Sequence, residues 1–224
     1  MTYTTRGQYL EAMATCRQFA YFGVLPVWNP EEPDIDGYIH DEVVRQGHDP
    51  NTYYDGELRI NKMRMAWDYA RKAAAIRKSP YTMDIIQMGR FIEDINTEGF
   101  RQHPIVVGGN NGAPFKELSD LMHMYTLAIQ RVDHKRINEV TIPDVNEIYH
   151  LWNQWVYLPA EERNDRVDDY FEKIRTVDDA YIVFELIHPF GDGNGRLGKI
   201  LAAWISNRLE NPWLPPNYFG GEVA

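Results

Sequence analysis

The stretch His188-Pro-Phe-Gly-Asp-Gly-Asn-Gly-Arg-Leu-Gly-Lys199 decides how this sequence is interpreted. It lies between two segments with helical spacing of apolar residues, 177–187 and 195–210. The stretch therefore predicts the end of one helix, a glycine-rich loop and the start of another helix.

This loop has the composition of an anion-binding site. Gly191, Gly193 and Gly195 allow the backbone to adopt positive φ and to come close to a ligand. Amides at a helix N-terminus attract an anion such as diphosphate. Arg196 and Lys199, three residues apart, add positive charge over the same spot. Asp192 is placed to hold a divalent cation that bridges phosphates.

A histidine completes the chemistry. His188 lies just outside the predicted anion site, where it could take a proton from an attacking hydroxyl. An anion site, a carboxylate for a metal and an imidazole together indicate phosphate-ester chemistry. The structural alternative is a glycine-rich loop with a core histidine.

Two other glycine motifs fit less well. The stretch from Gly193 to Lys199 matches GxxxxGK, but Ile200 stands where a P-loop needs a Ser or Thr hydroxyl for magnesium. The same glycines spell GxGxxG, the dinucleotide fingerprint. That motif needs a βαβ unit, and only 26 residues follow Gly198.

At these positions the sequence resembles the Fic family, whose motif is H-x-F-x-[DE]-G-N-G-R-x-x-R. The matching residues are His188, Phe190, Asp192, Gly193, Asn194, Gly195 and Arg196. The resemblance implies a mainly α fold, a bundle of about seven to eight helices with a small β-hairpin flap. In that fold the motif joins two central helices.

The resemblance also implies an activity, protein AMPylation, in which a Ser, Thr or Tyr hydroxyl attacks the α-phosphorus of ATP and Mg²⁺-diphosphate leaves. His188 would be the general base and Asp192 the metal ligand. Asn194, Arg196 and the amides of Gly193 and Gly195 would hold the phosphates. Lys199 stands where the family has a second Arg, and it lacks the bidentate fork of arginine.

A second stretch, 99–109, is similar to the flap hairpin that precedes the motif in this family. Such a hairpin positions the target protein by strand pairing. The expected target-positioning residues are Pro104, Ile105, Val106, Val107 and Gly108. The distance to His188 is long for the family, so we expect a helical insertion around 138–174; alternatively, the flap lies near 159–165.

A third stretch, 51–56, resembles in degenerate form the inhibitory [ST]-x-x-x-E-[GN] motif of many Fic proteins. Asn51 replaces Ser or Thr, and Asp55 replaces Glu. An ion pair between Asp55 and Lys199 would then restrain the enzyme. The other interpretation of this stretch is a helix-initiating turn.

Several functional alternatives remain open at this stage. The same fold could use another donor, for UMP, GMP or phosphocholine transfer, or it could be a catalytically quiet module that binds a nucleotide or a partner. The protein could modify itself. A separate antitoxin chain could also hold it silent.

Composition excludes other classes. The chain has 224 residues, 44% hydrophobic and 25% charged, with a formal net charge of -10, which argues against nucleic acid as a partner. No apolar run is long enough for a membrane span, and the single Cys16 fits a reducing compartment. We expect a cytoplasmic protein.

Patterning predicts the order of elements. Helices are expected over 4–22, 57–78, 82–99, 116–131, 141–155, 159–174, 177–187 and 195–210, with one strand at 104–107. Prolines and acidic residues predict an irregular arm up to about residue 50. We therefore divide the chain into an N-terminal helix and arm, 1–50, and a catalytic domain, 51–224.

Overall fold

Helices form the framework of the computed structural model, which describes residues 2–3, 27–28, 34–107, 110–132, 154–156, 158–159, 161–163 and 171–212. The α-helices with described ends are α1 Ile35–Arg45, α2 Leu58–Ala74, α3 Thr82–Ile92, α4 Leu118–Ile129, α5 Val177–Ile187 and α6 Asn194–Ile205. A π-helical turn, Tyr53–Glu57, precedes α2, and 3-10 turns occupy Asp94–Asn96 and Phe115–Glu117. The predicted mainly helical fold is confirmed.

The centre of the fold is the pair α5 and α6. Every residue of α6 except Gly195 is buried, so this helix has no solvent face and other helices surround it. Helices α2 and α3 pack on α6, while α4 packs on α5. The loop between α5 and α6 is thereby held at the end of the core.

Local signals explain the ends of α5. Thr176 and Asp179 form a capping box, in which the Asp179 amide donates to Thr176 Oγ1 at 3.1 Å and the Thr176 amide donates to Asp179 Oδ2 at 2.8 Å. The helix ends at His188, whose backbone is left-handed. The predicted range 177–187 is confirmed.

Two long-range hydrogen bonds close the core. The buried Trp67 indole donates to the carbonyl oxygen of Leu209 at 3.0 Å, and the buried Tyr125 hydroxyl donates to that of Ala180 at 3.0 Å. Buried aromatic rings with a polar edge are stable when that edge finds a partner. These bonds join α2 to the end of the described chain and α4 to α5.

The described strands are short. Strand β1, Thr2–Tyr3, pairs in parallel with β2, Val27–Trp28, and β3, Val106–Val107, pairs antiparallel with β4, Asn110–Asn111. The predicted hairpin is confirmed. The predicted strand over 104–107 was too long, because Pro104 has no N–H to donate to a ladder.

One prediction about the arm is wrong. Residues 35–45 were expected to be irregular, but they form α1, capped by Asp34, whose Oδ1 accepts from the Gly37 amide at 2.8 Å. Tyr38, Ile39 and Val43 of this helix are buried in the core. The prolines lie ahead of the cap, where they do not interrupt the helix.

Other helix boundaries differ by one turn or more. The predictions 57–78, 82–99 and 195–210 ran past the observed ends at Ala74, Ile92 and Ile205. The predicted helix 4–22 lies outside the described residues, as do most of 141–155 and 159–174. The insertion at 138–174, the alternative flap at 159–165 and the domain division at residue 50 stay predictions.

Candidate active site

His188 is held in an unusual backbone conformation. Its φ of 49° and ψ of 64° are left-handed, which costs a residue with a Cβ about 1–2 kcal/mol. The His188 amide donates to the Phe184 carbonyl at 3.0 Å, and its own carbonyl accepts from Arg101 Nε at 2.8 Å. These bonds turn the imidazole out of α5 at the start of the loop.

A hydrogen bond at Nδ1 sets the tautomer of the His188 imidazole. Its Nδ1 lies 3.2 Å from the backbone oxygen of Glu185, and since a carbonyl can only accept, Nδ1 carries the proton. Burial lowers the pKa of His188 to about 4, which the hydrogen bond to Glu185 only partly opposes. At neutral pH the ring is therefore uncharged, with its lone pair on Nε2.

The loop after His188 is closed by two asparagines. The Asn194 side chain accepts from the Phe190 amide at 3.0 Å and donates to the Phe190 carbonyl at 2.9 Å. Asn96 Nδ2 donates to the Asp192 carbonyl at 2.9 Å and to the Gly89 carbonyl at 3.1 Å. Because both polar atoms of Asn194 serve the loop, the predicted phosphate contact of its side chain stays a prediction.

The first turn of α6 follows directly on the loop. Its N-cap is Gly193, and no side chain caps the helix, so the first-turn amides lack an acceptor from a capping residue. The Gly193 amide itself donates to Asp192 Oδ1 at 2.6 Å. The available donors are therefore the amides that follow Gly193.

Gly193 tolerates no side chain in this structure. Its φ is 80°, and a Cβ there would lie 2.3 Å from Cγ2 of the buried Ile92. We expect Gly193→Ala to lower the free energy of unfolding by about 1–3 kcal/mol through backbone strain and overpacking. Urea denaturation measures this.

The matched control is Gly191→Ala in the same loop. A Cβ at Gly191 would meet Ile95 Cδ1 at 3.6 Å, an ordinary van der Waals contact. Equal unfolding midpoints for the two variants would contradict the role given to Gly193.

Asp192 is the exposed carboxylate of the loop. Its side chain is 56% exposed, and Oδ2 lies 3.6 Å from Arg59 Nη1 and 4.0 Å from Arg196 Nη2. Among the described residues, no group of three or more His, Cys, Asp or Glu could hold a metal alone. A lone carboxylate suits Mg²⁺, which keeps several waters and takes other oxygens from substrate phosphates.

Arg196 is buried beside this carboxylate, with only 1% of its surface exposed. Its Nη2 donates to Glu93 Oε1 at 2.6 Å, while Nε and Nη1 have no hydrogen-bond partner among the described residues. The predicted position of Arg196 next to the loop is observed. Its unpartnered donors leave capacity for an anion.

Lys199, one turn further along α6 than Arg196, is buried against Tyr181 of α5. It is 1% exposed, and its Nζ stands 4.7 Å from the centroid of the Tyr181 ring. The carboxyl group of Glu185 is buried nearby, and burial raises its pKa to about 7 despite the charge of Lys199. The phosphate-binding role of Lys199 stays a prediction.

The predicted ion pair between Asp55 and Lys199 is wrong. The Asp55 carboxylate is half exposed and bonds instead to His48 Nδ1 at 2.9 Å and to the Asp49 amide at 2.7 Å. These bonds lower the pKa of Asp55. Since Lys199 is buried against Tyr181, its charge is not available to an exposed turn. The helix-initiating turn, the other interpretation of 51–56, is observed as the π-helical turn.

The hairpin β3–β4 is joined to the His188 turn by Arg101. This buried side chain donates to the His188, His103 and Ala113 carbonyls at 2.8, 2.7 and 2.5 Å, and more weakly to that of Ile187 at 3.4 Å. The Arg101 amide also donates to the Pro189 carbonyl at 3.0 Å. These hydrogen bonds join the base of the hairpin to the loop that follows His188.

The predicted flap residues line this hairpin. Pro104 is exposed, Ile105 is half-buried, and Val106 is 67% exposed. Val107 pairs with Asn110, and Gly108 lies outside the described residues. An exposed strand residue in a hairpin joined to the loop is compatible with the predicted positioning of a target, which stays a prediction.

Four residues that surround the loop were not predicted from the sequence: Arg59, Glu93, Asn96 and Arg101. Arg101 lies within the stretch 99–109, but the resemblance to a flap hairpin implies no role for it. The other three carry no local signal, because each reaches the loop only through tertiary packing. Only their distances to the loop in the folded protein identify these residues as part of the site.

Comparison with known proteins gives one match. The sequence model described as Fic/DOC family matches residues 114–206, which include α4, α5, the loop and α6. Neither the curated proteins nor the solved structures contain a match to this chain. Among the described residues, no helix combines the length and apolar character that a membrane span requires.

Proposed function

We propose that the protein is a nucleotidyltransferase that moves AMP from ATP to a protein hydroxyl, and the match of residues 114–206 to the Fic/DOC family model supports this. One arrangement carries the proposal: the neutral imidazole of His188 stands one short loop ahead of the uncapped N-terminus of α6. A base beside an anion site is what transfer of a phosphate ester to a hydroxyl requires.

The proton moves to His188. The oxygen of a Ser, Thr or Tyr side chain on the target attacks the α-phosphorus, and its proton passes to Nε2, the nitrogen that carries the lone pair. The new O–P bond forms as the bond from the α-phosphorus to the bridging oxygen breaks. Diphosphate is the leaving group, and it takes the bonding electrons.

The loop and α6 hold the phosphates. The first-turn amides of α6 donate to phosphate oxygens, and the unpartnered donors of Arg196 add a charged contact. Mg²⁺ bound to Asp192 would neutralise the charge that develops on the diphosphate. Fixed donors of this kind stabilise a transition state because they need no reorganisation.

The hairpin presents the target. The exposed edge at Val106 can add one strand of the target protein, whose backbone would then be held in register with the loop. Arg101 connects this hairpin to the His188 turn. A target hydroxyl held by the hairpin would therefore keep a fixed position relative to the His188 imidazole. Orientation of this kind supplies much of the rate enhancement in two-substrate reactions.

Intact-mass spectrometry tests the proposal. The purified protein is incubated with Mg²⁺ and, separately, ATP, UTP, GTP or CTP, alone and with a cell extract that supplies targets. We expect self-modification or a modified extract protein that gains one AMP with ATP, absent in a His188→Ala control. A gain with another nucleotide would replace the donor, and no gain with any would count against the transferase.

The pH dependence of the reaction follows from the lowered pKa of His188. A base with the ordinary pKa of 6.5 loses about tenfold in activity between pH 7.5 and 5.5. Because burial lowers the pKa of His188 to about 4, we expect kcat/KM to change less than about twofold over that interval. A single-turnover assay with labelled ATP measures this.

The fold must be checked in the same samples. Between pH 6.5 and about 4 the unfolded chain binds a proton at His188 that the folded chain does not, so stability falls as the pH falls. Circular dichroism at each pH separates unfolding from loss of the base. A midpoint near pH 6.5 in a folded protein would contradict the assignment of His188.

A further inference from the structure

A cluster of charges lies beside the loop, outside the motif. Glu93 follows α3, and its Oε1 accepts from Arg59 Nη1 of α2 and, at 2.6 Å, from Arg196 Nη2 of α6. Lys62, one turn after Arg59, pairs instead with Asp94 Oδ2 at 2.8 Å, and its Nζ lies 4.0 Å from Glu93 Oε2. Two guanidinium groups therefore meet at a single oxygen of Glu93.

The guanidinium groups of Arg59 and Arg196 both have N–H donors without an acceptor among the described residues. Arg196 Nε and Nη1 and Arg59 Nε are buried and have no hydrogen-bond partner among the described residues. A buried donor without an acceptor costs about 1–3 kcal/mol. Two neighbouring arginines with unused donors have the chemistry to bind one anion together.

The position of Arg59 points to the same anion as Arg196. Its Nη1 lies 3.6 Å from Asp192 Oδ2, close to the 4.0 Å that separates Arg196 Nη2 from that oxygen. Both guanidinium groups therefore flank the carboxylate next to the N-terminus of α6.

Another arginine of α2 differs in this respect. Arg71 forms a bidentate pair with the exposed Glu210, at 2.6 and 2.7 Å. Its fork is already occupied, and its partner is solvated. Arg71 therefore serves as a matched control on the same helix.

We propose that Arg59 is a second arginine of the phosphate site, which contacts the phosphates of the bound nucleotide together with Arg196. The inference rests on the proposed nucleotidyl transfer and names a residue outside the segment 114–206. Arginine binds phosphate through two parallel N–H donors, and two such forks can hold neighbouring phosphates of one chain. Arg59 would thereby supply a bidentate phosphate contact of the kind Lys199 lacks.

Calorimetric titration with ATP and with inorganic diphosphate, each with Mg²⁺, tests the proposal. The proteins are wild type, Arg59→Gln, Arg196→Gln, the double variant and the control Arg71→Gln. We expect Arg59→Gln to weaken diphosphate binding at least about tenfold, which is 1.4 kcal/mol. Arg71→Gln should stay within about twofold of wild type, and adenosine binding should be the same in all.

The double variant separates contact from positioning. If Arg59 touches phosphate, its loss adds to that of Arg196→Gln; if Arg59 only orients Arg196, the double variant binds no more weakly than Arg196→Gln alone. The second result overturns the proposal, and so does wild-type affinity in a folded Arg59→Gln protein. Thermal unfolding of each variant shows that it is folded.

The two proposals can fail separately. If Arg59→Gln binds diphosphate normally while wild type still binds ATP and transfers AMP, only the role of Arg59 is lost. If wild type binds neither ATP nor diphosphate, both proposals are overturned.

Discussion

Replacement of His188 by alanine is expected to lower the rate of AMP transfer by about 10²–10⁴-fold, the usual contribution of a positioned general base. ATP affinity should change little, because the proposed phosphate donors are the first-turn amides of α6 and the side chain of Arg196. Single-turnover transfer and calorimetric ATP binding, measured on the same preparation, show both effects.

The backbone of His188 requires a second variant. Alanine at a φ of 49° carries strain, whereas asparagine tolerates the left-handed region. His188→Asn should therefore be as inactive as His188→Ala but more stable. Recovery of activity in the asparagine variant would mean that strain, not the missing base, had inactivated the alanine variant.

Replacement of Arg101 by methionine is the second large effect. The change removes donors from the carbonyls of Ile187, His188, His103 and Ala113, and each buried acceptor left alone costs about 1–3 kcal/mol. Relief of the buried charge, whose pKa burial lowers to about 10, offsets part of this. We expect a net loss of about 2–4 kcal/mol in unfolding free energy and loss of transfer.

Urea denaturation of Arg101→Met is compared with that of Arg90→Met. Arg90 is exposed on α3, so its substitution should stay within about 0.5 kcal/mol of wild type. If Arg101→Met were as stable as Arg90→Met and fully active, the hydrogen bonds of Arg101 between hairpin and loop would contribute neither to stability nor to activity.

The spacing of apolar residues predicted the helix before the loop, and the predicted ends of α5 match those observed. Its capping box of Thr176 and Asp179, which was not used for the prediction, is an equally local signal. Gly193 was expected to allow an unusual backbone, and its φ is 80°. Such features depend on a few neighbouring residues, and the sequence displays them directly.

The features that the sequence did not predict depend on tertiary packing. Helix α6 is buried all round, so its periodicity contains no polar face to show which way Lys199 points. The pairs of Glu93 with Arg59 and Arg196 join residues 34 and 103 positions apart, a separation that no motif encodes. Helix α1 was not predicted, because the prolines before Asp34 favour irregular structure. Asp34 itself is the residue that caps the helix.

The bond from Arg101 to the His188 carbonyl spans 87 positions of the chain. Contacts between residues so far apart in sequence form after the local helices, because closing a long loop costs conformational entropy before the contact can stabilise it. The turn at His188 would therefore be among the last parts of the protein to reach its final structure during folding. A fragment limited to 114–206 would contain the whole motif and still lack the arginine that shapes it.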